Sequence, residues 1–263
     1  MFSSNAFAAV SGSLPAGFMQ WYVGLMIVAV IVGTVADMIH KGSAKYFFAN
    51  ARKTRAQGKP VNKASIAVKT VAVDVLASGE FCNPRRRVAH LLTMYGFILY
   101  VVTTALMVFV YPTAATPTPA LVSQLWWLGG LMVMVGGYWF WFFIRVDVAA
   151  EGSSPLRLMR ADLFILSLLA SVTAGLLWAW LQASGSAASW PFFGLYLLAT
   201  TVLFGGVYWS KFAHMFFKPA AAFEKRVSEA YGTNANLPLQ TRDDPAQRER
   251  HSMELLKNAP MDM

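Results

Sequence analysis

Residues 88–110 read VAHLLTMYGFILYVVTTALMVFV, a run without one charged side chain that directly follows Arg85, Arg86 and Arg87. About 20 apolar residues in a helix cross the ~30 Å hydrocarbon core of a bilayer. Backbone in lipid must satisfy its own hydrogen bonds, so a helix is the expected structure. The run therefore predicts a membrane-spanning helix that begins at a strongly basic boundary.

Four more apolar runs of similar length flank this one. The chain is 56% hydrophobic, with a mean hydropathy of +0.47, which is more apolar than an ordinary soluble domain. None of the five runs contains Lys, Arg or Glu, and Asp37 lies at the end of the first. We predict an all-α membrane protein with five transmembrane helices, at 18–39, 88–110, 125–144, 163–181 and 190–209.

All charged side chains of the chain can be placed on one face of the membrane. The loop 41–87 carries eleven Lys and Arg against two acids, and the positive-inside rule makes it cytoplasmic. The segments without charge are 1–17, 111–124 and 182–191. The predicted topology is N-out/C-in in the bacterial inner (cytoplasmic) membrane, with a periplasmic N-terminus 1–17, a multi-pass domain 18–217 and a cytoplasmic tail 218–263.

Several function classes are excluded by composition. The net charge of +9 comes from residues that flank the apolar runs, so topology explains it and nucleic acid is not an expected partner. The single cysteine, Cys82, allows neither a disulfide framework nor a CxxC metal site. No Walker, dinucleotide or catalytic-triad motif occurs, so no catalytic residue is predicted. Whether the chain is an enzyme is left open between a non-catalytic and a quinone-reactive subunit.

Minor patterns predict how the helices are placed. Tryptophans near the ends of the runs are typical of aromatic belts at both interfaces. The pairs Gly129-Gly130 and Gly136-Gly137 share a helix face and predict close helix packing. We also expect a basic amphipathic helix at 44–56, a membrane-surface segment at 65–76 and a tail helix at about 221–231.

Two histidines lie at matched positions near the charged face. His90 begins the second run, in RRRVAHLLTMYGF, and His214 follows the fifth run, in YWSKFAHMFFKP. Antiparallel helices would bring both imidazoles to similar depth, which suits the two axial ligands of one haem. Arg86, Arg87 and Lys211 are candidates to bind the haem propionates. The alternative, an interfacial histidine with a wet polar tip, stays open for each.

His40 ends the first run, three residues after Asp37. It could replace either haem ligand, or bond to a quinone carbonyl together with Asp37 and Lys211. An interfacial cap near a helix C-terminus is the third interpretation of His40. His251 lies in the polar tail and is expected to be solvated.

The phrases HLLTMYGFILYVVTT (90–104) and SKFAHMFFKP (210–219) resemble the membrane b-type cytochrome anchors of the nitrate reductase gamma subunit and heterodisulfide reductase-like group. The resemblance covers about residues 85–218. It implies a five-span, N-out anchor that passes electrons between quinone and a cytoplasmic iron–sulfur partner. His90 and His214 match the inner pair of haem ligands in that group.

The same resemblance implies one haem b rather than two. Tyr100 and Tyr196 stand where the group carries its outer pair of ligands. Within the group, the basic loop and polar tail are similar to the membrane anchors of adenylylsulfate reductases from sulfur oxidisers. This similarity implies a soluble partner with flavin and iron–sulfur subunits.

The predicted function is a membrane anchor and haem b electron-transfer subunit that links a cytoplasmic flavin and iron–sulfur oxidoreductase to the quinone pool. The alternative is a haem-free scaffold that tethers a soluble redox complex to membrane lipid. A small transporter is disfavoured, because charged residues deep within the runs are lacking.

Overall fold

The computed structural model describes residues 2–42, 45, 47–49, 51–52, 61–79, 81, 83–146 and 152–232. Most of the predicted helix at 44–56, the tail beyond 232 with His251, and Cys82 lie outside these ranges. Within them the chain contains helices and no strand, so the predicted all-α class is confirmed.

Eight helices can be given bounds within the described residues, and residues 45, 47–49 and 51–52 are helical as well. The eight are α1 (Ala6–Val10), α2 (Ala16–Lys41), α3 (Lys63–Lys69, extended as a π-helix over Thr70–Leu76), α4 (Pro84–Ala105, extended over Leu106–Val110), α5 (Ala120–Trp139, extended over Phe140–Ile144), α6 (Leu163–Ala183, preceded by a 3-10 turn, Arg160–Asp162), α7 (Ser189–Gly205) and α8 (His214–Tyr231). Four of them, α2, α4, α5 and α6, are long and apolar enough to cross a membrane.

The last apolar helix is shorter than the sequence predicts. The apolar run extends to 209, whereas α7 ends at Gly205 after 17 residues, or roughly 26 Å at ~1.5 Å per residue. Gly205 and Gly206 account for this end, since glycine is among the weakest helix formers. His214 consequently does not continue the fifth helix: it begins α8 after the connecting turn 206–213.

Glycines on two faces of α5 set the packing of the bundle. A Cβ at Gly129 would lie 2.8 Å from the Tyr100 nitrogen of α4, and one at Gly136 would lie 2.6 Å from the Ala89 oxygen. The other member of each pair faces α6: Gly130 meets Leu176 and Gly137 meets Leu169. The prediction of close helix packing at these pairs is confirmed.

The N-terminal segment closes one end of the bundle. The Asn5 side chain caps α1 and donates to the Tyr111 oxygen and the Thr118 hydroxyl, both at 2.9 Å. Phe7 is buried, with its ring 5.1 Å from that of Trp178. The uncharged segments 1–17 and 111–124 thus meet at the same end, as the charge pattern predicts.

Six tryptophans lie at the predicted outer ends of the apolar runs, and the interpretation as interface anchors is wrong for three of them. Trp126, Trp127 and Trp178 are buried core residues, and so is Trp141 near the opposite end. Exposed tryptophans that fit the belt are Trp21, Trp180, Trp190 and Trp209. The belt and the core draw on the same residue type, because indole is both apolar and a hydrogen-bond donor.

At the charged end, α3 packs against α8. Arg226 of α8 donates through Nε and Nη2 to the two carboxylate oxygens of Asp74, with the Nη2–Oδ1 distance at 2.9 Å. These hydrogen bonds hold the pKa of Asp74 below its usual value and raise that of Arg226. Because α8 begins at His214, this helix is longer than the one predicted at about 221–231. The predicted tail boundary at 217 falls inside α8.

Candidate functional site

His90 lies in the second turn of α4, half-buried at the charged end of the bundle. Asn83 fixes where the helix begins, since its side chain accepts hydrogen bonds from the Arg85 and Arg86 amides. The Nδ1 atom of His90 lies 3.0 Å from the Ser78 hydroxyl. This contact sets which way the imidazole points.

Ser78 belongs to a strap, the described residues 76–79 and 81, that lies along the first turns of α4. Arg87 donates to the Ala77 oxygen and Tyr95 to the Leu76 oxygen, each at 2.7 Å. Ser78 itself is buried and has a φ of +48°, a left-handed conformation that is unfavourable for a residue other than glycine. The strap thus holds the hydroxyl against His90 at a conformational cost.

Phe81 connects the strap to α8. Its ring centroid lies 4.8 Å from that of His90, 5.7 Å from the Arg86 guanidinium carbon and 5.4 Å from Lys218 Nζ. Lys218 is four residues after His214 on α8, so the two share a helix face. Through Lys218, α8 thus comes next to the Phe81 ring that packs on His90.

His214 is oriented by its own chain. Its Nδ1 atom contacts the Lys211 oxygen in the preceding turn. The ring lies 6.1 Å from Phe164 of α6, and Phe164 packs at 5.3 Å on Phe212. Phe212 in turn reaches Phe97 of α4 at 6.4 Å. Aromatic side chains thus connect α4, α6 and the 206–213 turn next to His214.

Both histidines have the Nδ1 contact that a haem-ligating histidine usually makes. Ligating histidines usually donate their second ring N–H to a nearby acceptor, which fixes the tautomer. His90 and His214 both meet an oxygen through Nδ1, so Nε2 would be the ligand atom in each. Among the residues that the structure describes, no group of three or more His, Cys, Asp or Glu could hold a bare metal ion. Two histidines would be enough for haem iron, because the porphyrin supplies the remaining ligands.

The predicted propionate partners are arranged unevenly. Arg86 packs over Phe81, next to His90, which keeps it in the site. Arg87 is engaged with the Ala77 oxygen and so acts in holding the strap. Lys211 has an exposed side chain, and its backbone oxygen meets His214. Lys218, which the sequence interpretation missed, is the additional cation beside Phe81.

Asp37 and His40 belong to a neighbouring region. Gly33 of α2 packs against Val207, where an added Cβ would lie 2.9 Å from the valine Cβ. His40 is exposed and lies 5.7 Å from the Tyr208 ring, while Asp37 is buried. The C-terminal end of α2 thus packs on the same 206–213 turn that carries Lys211.

The positions predicted to lack a second haem are tightly packed. Tyr100 stacks on Trp126 at 4.9 Å, and Tyr196 stacks on Trp178 at 5.6 Å. Between them, a Cβ at Gly175 would lie 2.5 Å from the Tyr100 hydroxyl. Both tyrosines are buried, so this half of the bundle is an aromatic core.

Ser78, Phe81 and Lys218 are site residues that the sequence interpretation overlooked. The dipeptide Ser78-Gly79 is a turn signal and could have marked the strap. Nothing in the local sequence indicates that the strap returns to His90.

No family model, curated protein or solved structure matches this chain. The family resemblance therefore remains a proposal that depends on the residues described above.

Proposed function

We propose that this protein is a five-span, N-out/C-in membrane anchor in the bacterial inner membrane, with one b-type haem held by His90 and His214. It belongs, in this proposal, with the nitrate reductase gamma subunit and heterodisulfide reductase-like anchors. The short helix α7 is the fifth span, completed at its inner end by the 206–213 turn. The chain links a cytoplasmic flavin and iron–sulfur oxidoreductase, of the adenylylsulfate reductase type, to quinone.

One observation carries the proposal: both histidines meet an oxygen through Nδ1 at the same end of the bundle. The haem, when bound, supplies a one-electron redox centre. Ser78 and the Lys211 carbonyl orient the two imidazoles, and Phe81 and Phe164 give the ligands apolar neighbours. Arg86 and Lys218 offer positive charge where propionates would reach the membrane edge.

The packed aromatic core supports placing a single haem at the inner side. Tyr100, Trp126, Tyr196 and Trp178 already occupy the outer half through stacked contacts. Protein interiors of this density leave no room for a macrocycle without rearrangement. Little charge separation across the membrane is expected from this subunit alone.

Quinone is the proposed lipid-side substrate, at the crossing of α2 with the 206–213 turn. His40 is exposed toward the membrane edge and is placed to hydrogen-bond a carbonyl. Asp37, buried one turn away, is the proposed proton-exchanging group. Lys211 lies on the same turn and provides positive charge. The soluble partner would dock on the loop 41–87 and α8, at this same face.

Histidine substitution tests the proposal. His90→Ala and His214→Ala should each abolish the b-type band in a reduced-minus-oxidised spectrum of the purified full chain. His251→Gln is the matched control, and His40→Ala should also retain the band because His40 is assigned to quinone. Full haem content in either of the first two variants would contradict the ligand assignment.

A further inference from the structure

The loop between α5 and α6 presents an apolar tip that the proposed redox role does not use. The tip comprises residues 152–160, GSSPLRLMR. Leu156 is 91% exposed and Leu158 66% exposed, and the adjacent Met159 is exposed as well. A single exposed leucine needs no explanation. Three exposed apolar side chains within four residues of a loop form a patch, and an exposed apolar patch needs an explanation.

The tip is held in this shape by a fully buried cation. Arg145 donates to the Ser154 oxygen and the Arg157 oxygen, each at 2.7 Å, and to Asp162 at 2.6 Å. Its guanidinium also lies 4.1 Å from the Trp141 ring centroid. Burying a charge is costly unless it is paired, so the hydrogen bonds of Nη1 and Nη2 favour one backbone conformation of the tip, while Arg145 Nε has no hydrogen-bond partner among the described residues. The leucines are therefore held outward rather than left to fold back.

Connectivity places the tip at the membrane edge. The loop that contains the tip follows the end of α5 at Ile144, and the tip ends in the 3-10 turn that begins at Arg160, only four residues after Leu156. Both flanking helices are long and apolar enough to cross a membrane. The last turn of α5 also exposes Phe142 and Phe143. A loop this short cannot carry its apolar residues far from the interface.

The charges of the tip indicate which kind of surface it contacts. Arg157 and Arg160 are exposed and alternate with the leucines, and residues 152–160 contain no acid. Asp147 and Glu151, which precede the tip, lie outside the described residues. Guanidinium groups bind phosphate oxygens in bidentate fashion, and long basic side chains reach headgroups from apolar surroundings. Alternating apolar and basic residues are thus complementary to an anionic lipid surface.

We infer that the 152–160 tip is a lipid anchor, in which Leu156 and Leu158 enter the interface while Arg157 and Arg160 bind the phosphates of anionic lipid headgroups. The inference depends on the proposed membrane placement of α5 and α6 and not on the haem. A soluble protein with an apolar, acidic surface is the rival occupant.

A fluorescent probe at the tip tests this. Leu156→Cys in a Cys82→Ser chain is labelled with a polarity-sensitive dye and reconstituted in phosphatidylcholine vesicles with or without phosphatidylglycerol. Dye emission should shift to the blue, lipid-borne spin labels should quench it, and aqueous iodide should quench it weakly. Lys225→Cys, at an exposed site on α8, is the water-facing control. Iodide quenching at 156 as strong as at 225 would overturn the inference.

A second variant isolates the phosphate contacts. In Arg157→Gln/Arg160→Gln, the response of the dye to phosphatidylglycerol should be lost, while the thermal unfolding midpoint stays unchanged because both side chains are exposed. An unchanged lipid response would refute headgroup binding by these arginines. Flotation of the full chain with vesicles checks membrane placement separately, so its failure is distinguishable from failure of the tip.

Discussion

Arg226 binds the carboxylate of Asp74 through two nitrogens, although 152 residues separate the two along the chain. The pair joins α3 to α8, the helix that begins with His214. It is therefore a tether for the part of the chain that positions one proposed haem ligand.

Acid should loosen this tether. The folded-state pKa of Asp74 is depressed, so its contribution to stability is complete above about pH 4, the ordinary aspartate value, and is lost as pH falls through the lowered pKa. The protection factors of α8 amides, which correct for the pH dependence of intrinsic exchange, should therefore fall at acid pH. In Asp74→Asn exchange should already be faster at neutral pH and should lose this dependence. Equal exchange in the two proteins would show that the ion pair does not hold α8.

Trp178 and Trp180 should differ sharply although they are two residues apart. Trp178 is 1% exposed and stacks on Tyr196, whereas Trp180 is 49% exposed. We expect Trp178→Ala to lower the free energy of unfolding by about 3–5 kcal/mol. Trp180→Ala should cost under ~1 kcal/mol. Thermal unfolding in detergent measures both, and similar losses would mean that the aromatic core is misplaced.

Gly136→Ala should disturb the turn that carries His90. The new Cβ would lie 2.6 Å from the Ala89 oxygen and 2.7 Å from the Thr93 hydroxyl, so α4 and α5 must separate. Overpacking of this kind costs about 1–3 kcal/mol. Gly194→Ala in α7 is the control, since nothing lies within 4 Å of an added Cβ there. The unfolding midpoint should fall only in the first variant; an unchanged midpoint would contradict the close packing.

Ser78 should tune the haem rather than hold it. Donation from Nδ1 makes a ligating imidazole more basic and favours the ferric state. Ser78→Gly removes the hydroxyl and relieves the backbone at φ +48°, so the midpoint potential should rise while haem is retained. Ser78→Asn, which keeps an acceptor and tolerates this conformation, should restore the potential. A potentiometric titration that finds the same potential in all three proteins would exclude the role.

Features that produce a helical period, or a one-sided distribution of charge, could be predicted from the sequence. The apolar runs predict α2, α4, α5 and α6, and the glycine pairs of α5 predict close helix packing, although not that it occurs on two faces. The uncharged ends meet at Asn5 and Thr118 as the charge pattern requires. These properties depend on residues close in sequence, which is why they can be recognised there.

Long-range packing decided the rest. Phe7 sits in a short segment without periodicity, and only the bundle gives it a place beside Trp178. Tryptophan suits a lipid interface and a protein core equally, so its position in a run does not separate them. The strap that brings Ser78 to His90 depends on Arg87 and Tyr95 binding its carbonyls. No pattern in the sequence encodes that return.

The number of haems bound per purified full chain is the sharpest check on haem ligation by His90 and His214. Pyridine haemochrome analysis, with a low-temperature EPR spectrum of the oxidised protein, gives both the number of haems and their ligation. We expect one b-type haem per chain, with a low-spin signal typical of two axial histidines. A ratio of zero or two, or a haem that lacks bis-histidine ligation, would contradict it.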